Sequence, residues 1–192
     1  RQYTKGFIQI TQEQEDATKR KAETEKKIQK NKSLDDELSN LKGRFNQLAQ
    51  TKDVQKRGLA LEKFLYDLFL LYDLEPKGSF KIFGEQIDGA FTFQSTDYLL
   101  EAKWKNQVNR GDLASFCYKV ETKLKLTAGL LISIEGVTKE AISSDFKSII
   151  IMDVSDLLAV LDRRVTLPDL LFKKRRKAAE SGDIYVPYND LF

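Results

Sequence analysis

The sequence predicts an α/β domain, a sandwich around a mixed sheet, preceded by a long polar helical segment. Three observations carry this. Residues 11–50 are proline-free and rich in Gln, Glu and Lys, with Gly43 their one glycine. After residue 72 a helical apolar pattern gives way to three short, closely spaced strand-like runs. Helical and strand-like runs then alternate, so the order is helix, three strands, helix, strand, helix, strand.

In the polar segment apolar residues are sparse up to Ile28. Leu34, Leu38, Leu41, Phe45 and Leu48 then recur at spacings of four and three, an a/d seam with Ser33 to Glu37 as its expected capping start. The seam fits a helix packed on the following domain equally with a short coiled coil that dimerises the protein or ties it to a further domain. The chain opens on Arg1 rather than Met, so it is expected to continue a longer protein. Leu59, Leu61, Phe64, Leu65, Leu68, Phe69 and Leu71 mark a strongly apolar helix over 54–72, stopped by Pro76-Lys77-Gly78. Strands are expected over 79–83, 86–93 and 98–104, with a break at Gly84 and a turn at Ser95-Thr96-Asp97, arranged as an antiparallel meander. A helix over 113–124 presents Leu113, Phe116, Val120 and Leu124 on one face. A buried-type strand follows over 129–134, then a helix opening at Thr138, a strand over 149–153 and a short helix capped by Ser155. The resulting division is a charged helical arm (1–51), a central domain (52–165) and a basic C-terminal tail (166–192).

Composition narrows the chemistry. The 192 residues carry 41% apolar side chains, enough for a real core, and a formal charge of only +3. One cysteine, Cys117, allows neither an internal disulfide nor a thiolate zinc cage, and it reads as core filler; a lone thiol fits a reducing, cytoplasmic setting. No apolar run approaches the roughly 18 residues that a membrane span requires. There is no histidine, which removes Ser-His-Asp and Cys-His hydrolases, His-ligated zinc enzymes and nucleases with a histidine base. Hydrolytic chemistry must therefore run on carboxylates, lysine and a hard metal ion.

Phosphodiester cleavage needs a nucleophilic water, compensation of transition-state charge and help for the leaving oxygen. A Mg²⁺ ion on two carboxylates supplies these, and a neighbouring lysine orients the water. Asp88 lies in Gln86-Ile87-Asp88-Gly89, and Glu101 and Lys103 lie in Leu99-Leu100-Glu101-Ala102-Lys103-Trp104. Strand alternation places Glu101 and Lys103 on one face, with Leu100, Ala102 and Trp104 on the other. A turn between the two strands brings Asp88 beside Glu101. Two charges inside an apolar strand are costly unless they bind something. The competing reading is a ladder salt bridge between Glu101 and Lys103 on an exposed face.

Asp88 followed thirteen residues later by Glu101-Ala102-Lys103 resembles the PD-(D/E)xK motif of restriction-endonuclease-like nucleases, with Ile87 where the motif has proline. The element order over 52–153 resembles that family's αβββαβ core, and the wording around Asp88 is most similar to Mrr-like restriction and anti-phage-defence nucleases. The resemblance implies Asp88 and Glu101 as ligands of Mg²⁺, with Mn²⁺ as a substitute, the Ala102 carbonyl as a further ligand, and Lys103 serving the water. It also implies Glu62, in Arg57-Gly58-Leu59-Ala60-Leu61-Glu62, as an accessory carboxylate. The expected substrate is DNA, with RNA sharing the same phosphate chemistry, and the expected assembly is a homodimer or a larger defence complex.

Secondary candidates carry weaker signals. Gln86 is two residues from Asp88 and suits either a hydrogen bond to water or phosphate, or an ordinary exposed strand position. Lys105, Asn106, Asn109 and Arg110 form a polar loop in which any one residue reads first as an ordinary loop position and second as a backbone contact. Lys119 reads first as a solvated helical lysine and second as a phosphate contact. Lys173, Lys174, Arg175, Arg176 and Lys177 make a basic run that suits non-specific phosphate binding, a solvated helix face or a disordered tail. Trp104 reads as core. The rival functional class is a catalytically silent nuclease-fold module for nucleic-acid binding or complex assembly.

Overall fold

The computed structural model describes residues 2–82, 84–142 and 146–192, with side chains from Lys19 onward. The chain divides into two units, Arg1–Glu37 and Leu38–Phe192. The first unit is helix throughout its described residues and highly polar. Its Ile28 is 61% exposed. The helix α1 (Gln2–Gln50) runs unbroken past Ser33, so the expected cap is absent: nothing there stops the helix, and Ser33 sits inside it. Its last residues belong to the second unit, where Leu38, Leu41 and Phe45 are buried. Phe45 stacks on Trp104 at 5.3 Å and meets Phe64 at 5.4 Å. Ion pairs from Lys42 to Asp162 (2.6 Å) and Arg44 to Asp67 (2.7 Å) flank this contact. The lower part of the seam is thus packed on its own domain.

Asp53 caps α2 (Val54–Leu71), accepting from the amides of Gln55 and Lys56. Leu61, Phe64, Leu65, Leu68 and Phe69 point inward, whereas Leu59, counted with them from the sequence, is 58% exposed because it falls on the opposite face. Where three strands are expected, the structure has four: β1 (Phe80–Ile82), β2 (Glu85–Ile87), β3 (Gly89–Phe93) and β4 (Thr96–Lys103). β1 and β2 form a separate two-stranded antiparallel hairpin, and the strand expected over 86–93 breaks at Asp88. The β3–β4 turn is centred on Gln94 and Ser95, at φ 48° and 60°, with Phe93 opposite Thr96. Two-residue hairpins favour this doubly left-handed turn because it matches strand twist, normally with Asn-Gly. Gln-Ser carries no such signal, so the expected turn at Ser95-Thr96-Asp97 is displaced and Thr96 and Asp97 join β4.

β4 continues the sheet in parallel with β5 (Ala128–Ser133), which is parallel to β6 (Ile149–Asp153), giving a mixed order β3-β4-β5-β6. Between β4 and β5 runs α3 (Arg110–Glu121), opened by a capping box in which Asn109 and Asp112 exchange hydrogen bonds. Arg110 therefore starts the helix rather than ending a loop. Leu124 lies past its end, 82% exposed, and not on its apolar face. Gly129 lets α3 approach β5 closely, since a Cβ there would sit 2.7 Å from Ile149 and 2.8 Å from Phe116 and Val120. The core on this face includes Leu99, Leu113, Phe116, Cys117, Val120 and Leu131. The opposite face carries α2, with Phe69 against Phe91 and Phe91 stacked on Tyr98.

After β5 come α4 (Lys139–Ile142), opened at Thr138, and then β6 and α5 (Val154–Leu161). The α5 cap is Asp153, which accepts from Ser155 and Asp156; Ser155, the expected cap, is already helical. The expected basic tail is an ordered helix, α6 (Leu167–Ser181), followed by α7 (Tyr188–Leu191). Between them Ile184 accepts from the Ile151 amide at 2.9 Å and covers the edge of β6. Among the described residues no helix is long and apolar enough to cross a membrane.

Lys174 holds this end of the fold together. It is 3% exposed and its Nζ lies 2.7 Å from Asp156, which is fully buried; it also donates to the carbonyls of Ile151 (3.0 Å) and Val186 (2.6 Å). Burial pushes the Asp156 carboxyl up, to about 6, against the pull of the Lys174 ammonium. Removing one partner of a buried pair strands the other charge. Lys174→Met is expected to destabilise the domain by about 3–5 kcal/mol, with most of the loss restored in Lys174→Met/Asp156→Leu. Urea denaturation of the two variants measures both effects.

Candidate metal and phosphate site

The break at Asp88 builds the site. The β3–β4 ladder ends at Gly89 opposite Leu100, and one step further the Asp88 side chain takes the place of a backbone partner. Its Oδ2 accepts from the Ala102 amide at 2.9 Å. The Lys103 carbonyl accepts from the Ile134 amide on the β5 side. Because backbone direction alternates along a strand, the Ala102 carbonyl therefore faces the Asp88 side, beyond the last rung of the ladder.

Glu101 lies on the α3 face of β4 and is only 8% exposed. Its Oε1 is 3.2 Å from Lys103 Nζ and its Oε2 is 2.9 Å from Lys119 Nζ. Lys103 also reaches Asp112 at 3.3 Å, and Lys119 donates to the Gln86 carbonyl at 3.2 Å. Burial alone would lower the Lys103 pKa, but the Glu101 and Asp112 carboxylates outweigh it and hold the ammonium above its usual range. Lys103 is consequently a fixed positive charge and a donor, not a base.

Asp88 has the reverse balance. Burial raises its carboxyl pKa most, and Glu101 adds to this, against the Ala102 hydrogen bond and the Lys119 and Lys103 charges. Glu62 on α2 is raised likewise, by burial and then by Asp88, with a Ser79 hydrogen bond pulling the other way. Asp88 thus feels the carboxylate of Glu101 beside it and pushes up that of Glu62 on the helix below. A cation there would relieve both. Among the described residues no group of three or more His, Cys, Asp or Glu side chains is spaced to enclose a metal ion. The donor set is instead two carboxylates and a main-chain carbonyl, all hard oxygens, which fits Mg²⁺ or Mn²⁺ retaining several waters.

The predicted residues divide clearly. Asp88, Glu101, Ala102 and Lys103 are brought together, while Glu62, on the α2 side, is tied to Asp88 and Ser79. Gln86 is exposed and contributes its carbonyl to Lys119 rather than its side chain to the site. Lys119 and Asp112 were underread: they sit seven residues apart on one face of α3, above Lys103 and Glu101. A cleft of about 350 Å³ opens beside Lys103, lined by Gly58, Ala102, Lys105, Asn106, Asn109 and Asp112. Lys105 and Asn106 therefore line the cleft, while Arg110 is exposed at the start of α3. The basic run is no single patch, because a helix turns it through about 100° per residue. Lys173 lies over the Phe192 ring, Lys174 is internal, Arg175 reaches Thr96, and Arg176 pairs with Glu180 at 2.7 Å. Lys174, named from the sequence as a phosphate contact, is excluded from that role by its burial.

The Lys119 contact makes metal affinity a sharp readout. Asp88→Asn is expected to abolish Mn²⁺ binding in calorimetry. Lys119→Gln, which removes a competing cation from Glu101, is expected to tighten it by up to about tenfold, equivalent to about 1.4 kcal/mol. Comparison with known proteins adds no assignment: no family model, no curated protein and no solved structure matches this chain.

Proposed function

We propose that this chain is a Mg²⁺-dependent nuclease of the PD-(D/E)xK kind, with a restriction-endonuclease-like core, hydrolysing phosphodiester bonds of DNA. The observation that carries the reading is the convergence of Asp88, Glu101 and Lys103 where β3 parts from β4, with Ala102 bonded to Asp88. Asp88, Glu101 and the Ala102 carbonyl would hold the ion, which supplies charge compensation at the phosphate and a more acidic bound water. Lys103, kept charged by Glu101 and Asp112, orients that water and offsets charge on the phosphoryl oxygens. Glu62, whose carboxyl is pushed up by burial and by the Asp88 charge, is an accessory carboxylate able to exchange a proton with solvent. Lys105 and Asn106 line the cleft where the strand being cut would lie. A restriction or anti-phage setting, and a dimer or larger complex to cut both strands, follow from the same resemblance.

One observation favours a second reading. Both Glu101 oxygens are already satisfied by lysines, as in a nuclease fold retained only for nucleic-acid binding or assembly. Supercoiled plasmid separates the two. Nicking or linearisation with Mg²⁺ or Mn²⁺, abolished by EDTA and reduced at least about 100-fold in Lys103→Ala and Asp88→Ala, supports the enzyme. An inactive chain on plasmid, single-stranded DNA and RNA alike supports the silent module.

A further inference from the structure

The opposite end of β4 carries a second site that the nuclease reading does not use. A cavity of about 410 Å³ opens where the parallel strands begin, at Thr96, Ala128 and Ile149, and is closed by α6 and by Gly182 and Ile184 beyond it. Among the described residues its lining holds three cations, Lys125, Lys147 and Arg175, and no carboxylate. Neither Lys125 nor Lys147 forms an ion pair among the described residues. Arg175 forms no ion pair among the described residues, and its Nη1 donates to the Thr96 hydroxyl at 3.4 Å.

Tyr98 supplies an independent sign of a missing partner. It is 1% exposed, lines the cavity, and its hydroxyl proton finds no acceptor among the described residues. The ring cannot swing away, because it stacks on Phe91 at 4.9 Å and 10°. Arg175 lies close enough for both its charge and its donors to act on the hydroxyl oxygen, which leaves the hydroxyl proton itself without an acceptor. The wall is thus rich in donors and cations and short of acceptors. A buried donor without an acceptor is penalised, and an anionic oxygen satisfies hydroxyl and guanidinium together. Leu126, Phe146, Ala178, Ala179 and Ile184 provide apolar surface beside the charges.

We propose that this cavity binds a small organic phosphate, a phosphomonoester head between Arg175, Lys147 and Lys125 and a flat apolar body against Phe146 and Ile184. Three positive charges without a carboxylate match a dianionic head better than a monocarboxylate. The volume accommodates a ligand of mononucleotide size. The site is distinct from the Asp88–Glu101–Lys103 cluster, so either assignment stands or falls alone.

The test is calorimetric titration of the full chain with AMP, inorganic phosphate and adenosine. AMP is expected to bind saturably and at least about tenfold more tightly than either fragment. Arg175→Gln and Lys147→Gln should each weaken AMP about tenfold, and Tyr98→Phe, which removes one oxygen from a buried ring, several-fold. Lys103→Ala should leave it unchanged. Adenosine or phosphate binding as tightly as AMP, AMP affinity indifferent to both Lys147→Gln and Tyr98→Phe, or no saturable AMP binding at all overturns the proposal. Thermal unfolding of each variant separates lost binding from lost fold.

Discussion

A carboxylate buried in the middle of a sheet governs the rest of this domain. β4 is flanked on both sides by other strands, and Glu101 on it is almost fully covered. An uncompensated charge there would cost several kcal/mol, a large part of a domain's whole stability. Compensation comes from Lys103 on the same strand and Lys119 on the helix above, and it works only if α3 sits at one height over the sheet. Gly129 sets that height by omitting a side chain under Phe116 and Val120, and Asp112 sets the helix start while also receiving Lys103. Cap, close approach and ion pairs are therefore parts of one solution.

Much of this was legible in the sequence, for identifiable reasons. Helices with a clear apolar face and strands with continuous apolar runs declared themselves, and so did the shared face of Glu101 and Lys103, because alternation on a strand is strict. What escaped was local. The β3–β4 turn uses Gln94 and Ser95 in a conformation that usually needs Asn or Gly. The break at Asp88 arises from a side chain substituting for a backbone bond, which no periodicity reports. Lys119 looked like any solvated helical lysine, since only tertiary docking gives it Glu101. Lys174 was hidden in a basic run whose members the helix sends in different directions.

The domain contains two buried acid–lysine arrangements, and the contrast between them separates structure from chemistry. Asp156 and Lys174 are both inaccessible, and two main-chain carbonyls take up further Lys174 donors. Such a closed pair fixes α6 against β6 and offers nothing to a ligand. At Glu101 the lysines are partly accessible, the Asp88 charge pushes the Glu62 carboxyl up, and a cleft adjoins the cluster. The cleft itself reaches this cluster through Ala102 and Lys103, so the open arrangement, unlike the closed one, has groups that a ligand can touch.

The same geometry bears on how many ions the site would use. Lys119 occupies the outer oxygen of Glu101, on the side away from the Lys103 contact, and is braced by the Gln86 carbonyl. A positive charge fixed there does electrostatically what a second divalent ion does in two-metal sites: it neutralises the far side of a shared carboxylate. Retaining it leaves Asp88, the Ala102 carbonyl and one Glu101 oxygen for a single ion, a donor number that suits Mg²⁺ holding several of its own waters. Lys103 would then give up part of its hold on Glu101 and turn toward the phosphate, with Asp112 still anchoring its charge. The two lysines would thus divide the work, one neutralising the carboxylate permanently and the other free to exchange it for substrate.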